Sequence, residues 1–136
     1  MDKDFDKWNK VKQYVHSKKK YPNASPREIW WCHFGENIGV EMNGKHESFE
    51  RPALVFRVFN TEMIVVMPIT SADVKSVDFY SPCTHPVTGK LSMISVTQIR
   101  LISARRLIRK VGLLSEHESE LLEQKFDLLF KSKARN

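Results

Sequence analysis

Apolar residues along this chain change their period several times, and each change marks an element. From Phe5 to Val15 they recur at helical spacing, as Phe5, Trp8, Val11 and Val15. Asp2, Asp4 and Asp6 stand near the start of that segment, and Lys18, Lys19 and Lys20 close it. Acid at the start and base at the end complement a helix dipole, so the segment reads as an amphipathic helix ending before Pro22. Past the linker Tyr21–Pro26, Glu28–Phe34 (EIWWCHF) reads as a strand rich in aromatics. The polar stretch 35–50, with Gly35, Gly39 and Gly44 spread along it, exceeds most hairpin loops, a length that goes with function or mobility.

The next segment, Phe49–Ala72 (FERPALVFRVFNTEMIVVMPITSA), joins two apolar runs through Asn60-Thr61 and reads as a β-hairpin. A two-residue turn pairs Phe59 with Glu62 and sets Arg51 opposite Thr70; a three-residue turn sets it opposite Ser71. In either register a guanidinium meets a hydroxyl, with Cβ atoms about 5 Å apart. Thr resists positive φ, so the turn does not fix the register. Alternation assigns Leu54, Phe56, Val58, Met63, Val65 and Met67 to a core face, and Arg51, Arg57 and Thr70 to the other.

The rest of the chain carries weaker signals. Residues 72–91, with Pro82, Pro86 and Gly89, read as irregular, and Ser92–Ile102 as one or two strands. Ser103–Lys110 reads as a short helical turn bearing Arg105, Arg106, Arg109 and Lys110. Ser115 precedes Glu118 by three, a capping-box signature opening a last helix with the stripe Leu122, Phe126, Leu129 and Phe130. Short consecutive strands with no helices between them imply a mainly β, α+β domain: an antiparallel, barrel-like sheet with flanking helices. The expected division is an N-terminal helical extension over 1–22 and a barrel domain over 27–133.

At 136 residues the chain is one domain by length. Its net charge of +6 favours polyanionic partners, nucleic acid or an acidic protein tail, although a merely basic solvated surface has the same total. Cys32 and Cys83 are the only cysteines, which argues against a disulfide framework and suits a reducing compartment. The charged N-terminus is unlike a signal peptide, and no apolar run approaches membrane-spanning length. A soluble cytoplasmic protein without a membrane segment is expected.

An arginine fixed beside a hydroxyl suits phosphate chemistry. Arg binds phosphate oxygens bidentately and can stabilise a phosphoryl transition state, but is a poor general base. In RNA the nucleophile is already present as the 2′-hydroxyl, so neither a protein nucleophile nor a metal is required. Spacing alone does not separate this reading from a surface arginine followed by a Thr-Ser turn. Among His16, His33, His46, His85 and His117, a catalytic pair of His33 and His46 is the rival arrangement. Cys83 and His85 offer at most two metal ligands, too few for structural zinc, so no metal or cofactor is expected. Trp30, Trp31 and Phe34 could stack bases, and Arg100 with the Arg105–Lys110 cations could track a phosphate backbone.

The collinear pieces "EIWW", "GVE", "RPALVF", "PITS", "TQIRLIS" and "RRL" resemble the MazF/PemK-like toxins of bacterial toxin–antitoxin systems, from about Glu28 through the last helix. The resemblance implies an SH3-like barrel of the type shared with the CcdB gyrase poisons, a homodimer and a cognate antitoxin. It also implies a metal-independent, sequence-specific endoribonuclease that leaves 2′,3′-cyclic phosphate and 5′-hydroxyl ends. It assigns Arg51 and Thr70 as catalytic, with Ser71 in reserve. Glu41, Ser71, Gln98 and Arg57 become RNA-binding residues. Two features depart from the family pattern. Thr97 stands where many members carry a carboxylate, leaving Glu41, Glu47 or Asp73 as candidate bases, and the N-terminal helix is extra. A CcdB-like protein-binding toxin without catalysis, or an inactive RNA-binding relative, is the alternative.

Overall fold

The computed structural model describes residues 3–71, 74 and 76–131; Asp2 and Asp73 lie outside the described residues. Helix α1 (Phe5–Ser17) starts at Asp4, whose carboxylate accepts from the Lys7 amide. It buries Trp8 and Val15 but leaves Phe5 half-exposed, so its stripe is narrower than the pattern implied.

Seven strands follow: β1 (Glu28–His33), β2 (Glu50–Val58), β3 (Met63–Thr70), β4 (Tyr80–Thr84), β5 (Leu91–Ser95), β6 (Arg100–Ser103) and β7 (Leu107–Leu113). All ladders are antiparallel, in the order β4-β5-β3-β2-β1-β7, with β6 also on β3. Strand β3 is the hub. Met63–Val66 pair with β6 and Ile69–Thr70 with β5 along one edge, while β2 holds the other. The result is barrel-like, but the sheet is not closed among the described residues.

The hairpin takes the longer of the two expected turns, and an unexpected bulge offsets it. Its loop has three residues, Asn60–Glu62: Phe59 N donates to the Met63 carbonyl, and Asn60 Oδ1 accepts from the amides of Glu62 and Met63. A bulge at Phe56 then shifts the register between Val55 and Arg57, restoring Leu54↔Met67 and Ala53↔Pro68. Extending that ladder two residues sets Arg51 level with Thr70. Near the turn, however, the bulge reverses the faces. On β2, Val58 packs with Trp30, Val55 and Val66 instead of with Phe56, while Val65 of β3 keeps its expected place with Leu54 and Phe56; Met63 is exposed. Both faces of the hairpin are covered. One core gathers Leu54, Met67, Ile69, Ile94 and Leu122, and the other Cys32, Val55, Ile64, Val66 and Leu107.

Three further expectations are corrected. The segment read as irregular contains β4, where Pro82 is tolerated because β4 is an edge strand. The segment read as a helical turn is helical only over Ala104–Arg106, a 3-10 turn, and Arg109 and Lys110 lie on β7. Helix α2 (Glu116–Phe130) is capped by Ser115, which accepts from the Glu118 amide at 3.1 Å, and buries Leu122. Its Phe126 packs on Phe56 at 4.9 Å between ring centroids, but Phe130 is half-exposed and only stacks on Phe126.

Candidate active site

The long loop between β1 and β2 is folded back tightly on itself. Gly44 N donates to the Gly35 carbonyl at 2.8 Å, and Lys45 and Glu50 exchange backbone hydrogen bonds. A Cβ on Gly44 would fall 1.7 Å from the Phe49 carbonyl oxygen, and one on Gly35 (φ +89°) would fall 2.4 Å from the Trp8 ring. Only glycine permits either approach. Side chains from elsewhere hold the loop's middle. Gln98 accepts from Met42 N at 3.1 Å and donates to the Val40 carbonyl at 3.0 Å, and Arg51 Nε donates to the Asn43 carbonyl at 2.6 Å. Residues 40–43 are thus tied both to Arg51 and to Gln98.

The first cavity, about 400 Å³, surrounds Arg51. The guanidinium donates to the Ile69 carbonyl at 3.2 Å as well as to Asn43, and burial pulls its pKa below the usual arginine value. It remains a fixed cation at neutral pH. Lys45 and Lys90 add charge to the walls, and Ser71 supplies a hydroxyl. Ser92, also on the wall, has a buried Oγ with no hydrogen-bond partner among the described residues. A buried polar atom without a partner is uncommon.

The second cavity, about 340 Å³, holds Glu41, Gln98, Thr97 and Arg100. The Glu41 carboxylate accepts from Ile38 N at 2.9 Å. Of the residues singled out in the sequence, Arg51 and Ser71 share one cavity, and Glu41 and Gln98 share the other. Thr70 is buried and pairs with Met93 of β5; its neighbours Ile69 and Ser71 line the Arg51 cavity, and Thr70 does not. Arg57 is not brought to either cavity. It pairs with Glu123 of α2 at 2.5 Å and covers the Phe56 ring at 4.0 Å, six residues along β2 from Arg51.

The carboxylate beside Arg51 is one that sequence reasoning missed. Glu47 is exposed and pairs with Lys7 at 3.6 Å, whereas Glu50 lines the Arg51 cavity and accepts from Ser48 Oγ at 2.7 Å. The rival pair of His33 and His46 is not brought together. His33 is buried against the Ser48 carbonyl at 2.8 Å, away from the Arg51 cavity, and His46 shares that cavity with His85 instead. His85 Nδ1 accepts from Val87 N (3.2 Å) and Thr88 N (3.3 Å), so the neutral ring carries its proton on Nε2. Reading His85–Lys90 as a hairpin turn would have placed both residues here; the prolines on either side of Cys83-Thr84-His85 hid that signal. Of the aromatics, Trp30 and Phe34 are buried. Trp31 lines the cavity, with Arg109 over its ring at 5.1 Å.

Comparison with known proteins adds the family context. Residues 25–130 match the family model described as PemK-like, MazF-like toxin of type II toxin–antitoxin system. No curated protein matches the chain. Among solved structures, the fold is similar to MazF from Deinococcus radiodurans (TM-score 0.64, 20% identity, 84% of this chain and 100% of that one). It is also similar to the Mycobacterium tuberculosis toxin MazF-mt6 (0.60, 18%, 79% and 100%). A third similar structure is a mycobacterial endoribonuclease in complex with its cognate antitoxin (0.58, 12%, 82% and 99%).

Proposed function

The chain belongs to the PemK-like, MazF-like toxin family of type II toxin–antitoxin systems, and from that membership we propose that it is a metal-independent, sequence-specific endoribonuclease acting on single-stranded RNA. The observation that carries the proposal is the Arg51 cavity, whose lining brings together a partly buried guanidinium, two lysines and the exposed Ser71 hydroxyl. That is a donor set for a phosphodiester.

The reaction needs little else from the protein. The 2′-oxygen bonds to phosphorus as its proton leaves, and the P–O5′ bond breaks as O5′ gains a proton. The products are a 2′,3′-cyclic phosphate and a 5′-hydroxyl. Arg51 stabilises the charge that builds on the phosphorane oxygens. Ser71 on the cavity wall holds the scissile phosphate, and Thr70, buried one residue before it on β3, supports that wall. Glu50 and His85 are the cavity groups suited to taking and returning the proton, with Glu50 occupying the role that Thr97 cannot fill. Gln98 and the Glu41 loop read neighbouring bases. The active species is a homodimer in the cytoplasm, neutralised by a cognate antitoxin, and the barrel over residues 27–133 is the catalytic domain with residues 1–22 as its extension.

The test is primer-extension mapping of a long RNA incubated with the protein in EDTA, with Arg51→Ala in parallel. Discrete cuts ending in 5′-hydroxyls that vanish in the variant are expected. A folded protein that makes no cuts, yet stops growth equally well as Arg51→Ala, would replace this reading with that of a protein-binding toxin.

A further inference from the structure

A second concentration of positive charge lies where α1 packs against the 3-10 turn, away from the Arg51 cavity. Arg100 opens β6 and Arg106 ends the 3-10 turn, and both direct Nη1 at the Phe34 carbonyl, each at 3.5 Å. That oxygen already accepts from Asn37 Nδ2 at 3.1 Å, so neither guanidinium has a good bond there. Arg106 also reaches the His33 carbonyl at 3.2 Å. Among the described residues neither arginine makes an ion pair. Burial and the neighbouring Arg100 charge both lower the Arg106 pKa, which marks a cation held in unfavourable surroundings. Two guanidiniums converging on one oversubscribed carbonyl form an incomplete site, and an anion completes it.

The surroundings indicate which anion. Arg100 lines the Glu41–Gln98 cavity and also a neighbouring one of about 480 Å³, so the two adjoin at its side chain. The far wall of the adjoining cavity is α1, through Phe5, Trp8 and Lys12. Arg106 lies over the Trp8 ring at 5.7 Å, which fixes its orientation. Phe5 is half-exposed and offers a face on which a base can stack. Two carboxylates, Glu36 and Glu41, share this cavity, but each is held by a backbone amide, from Asp4 and Ile38 respectively. Cations and an aromatic face along a groove are the features of a single-strand track.

We propose that Arg100 and Arg106, with Lys12 of α1, bind a phosphate of single-stranded RNA beyond the Glu41–Gln98 pocket, and that α1 is one wall of this extended track. The identity of the ligand rests on the nuclease reading above; the anion site itself does not. The helix outside the family match thereby acquires a role in substrate binding.

The test uses the full chain carrying Arg51→Ala, so that RNA survives, and a fluorescent mixed-sequence 12-mer titrated across a salt series by anisotropy. Adding Arg100→Gln or Lys12→Gln is expected to flatten the slope of log K against log salt by about 0.7 for each phosphate that the protein no longer neutralises. Arg100→Lys, which keeps the charge, is expected to hold the slope. Lys12 is exposed on its helix, so its variant reports binding rather than folding. Unchanged slopes in both Gln variants overturn the proposal. So does binding of an acidic peptide, instead of RNA, that disappears in the same variants. Cleavage by the unmutated chain, assayed alongside, separates the two readings: cuts with unchanged slopes remove only the track, and altered slopes without cuts remove only the nuclease.

Discussion

Arg51 and Asn43 are joined by a 2.6 Å hydrogen bond from the guanidinium Nε to the loop carbonyl. The charge expected to meet a phosphate therefore also anchors the long loop between β1 and β2. Three loop residues, Val40, Met42 and Asn43, are tied down by two side chains, Gln98 and Arg51.

The first prediction concerns the other tether. Gln98→Ala removes the acceptor of the Met42 amide. A net hydrogen bond is worth about 1 kcal/mol, so that amide is expected to exchange with solvent about fivefold faster, with the sheet amides unchanged. Native-state hydrogen exchange checks this, and RNA cut by the variant is expected to show a relaxed sequence preference.

Trp8 is the main anchor of α1. It meets Phe49 at 5.6 Å, fills the space that a side chain on Gly35 would need, and lies under Arg106. Trp8→Ala is expected to cost about 3 kcal/mol, the lower end for a buried tryptophan, because α1 lies at the edge of the domain. A denaturant melt measures the loss. A change under roughly 0.5 kcal/mol would mean that α1 does not brace the barrel.

Much of this architecture is legible in the sequence. Helix α1, β1, the central hairpin and the Ser115 cap follow from period, aromatic enrichment and capping chemistry. Strands β4 and β7 do not show. Pro82 is permitted only because β4 is an edge, and Arg109-Lys110 break the apolar pattern of β7; both are facts of tertiary position. The Phe56 bulge has no glycine to announce it, so alternation misassigns the face of Arg57 and places it in the site instead of beside Glu123. The shared cavity of Arg51 and Ser71 follows from the ends of the hairpin. Glu50, His85 and Lys90 join it only after the long loop folds back and the β4–β5 turn forms, which no local signal carries.

His33 gives a pH prediction. Burial lowers its pKa, with the Lys18 and Arg106 charges adding to that, against the Ser48 carbonyl and Glu50, which raise it. The folded value thus lies below the unfolded value of about 6.5. The unfolded chain takes up the proton first, so this contribution to stability is present above pH about 6.5 and is lost as pH falls towards the folded value. Tm is expected to drop between pH 7.5 and 5.5, and to drop less in His33→Gln. Equal drops would exclude His33 as the source.

Both thiols are shielded. Burial pushes Cys32 and Cys83 up to about 12, so neither forms appreciable thiolate at neutral pH. Reaction with a disulfide reagent is expected to be negligible in the native protein and to reach two thiols in denaturant. Rapid reaction without denaturant would show that the core opens locally.

Transesterification at Arg51 is tested most directly by one substituted substrate. An RNA containing a mapped cut site is compared with the same RNA carrying a single 2′-deoxy nucleotide on the 5′ side of the scissile phosphate. Without that hydroxyl no 2′-oxygen can bond to phosphorus, so cutting there is expected to cease, while cuts elsewhere in the strand continue with 5′-hydroxyl ends. Cleavage of the deoxy site at an undiminished rate would mean that water or a protein group attacks the phosphate, and would contradict the mechanism.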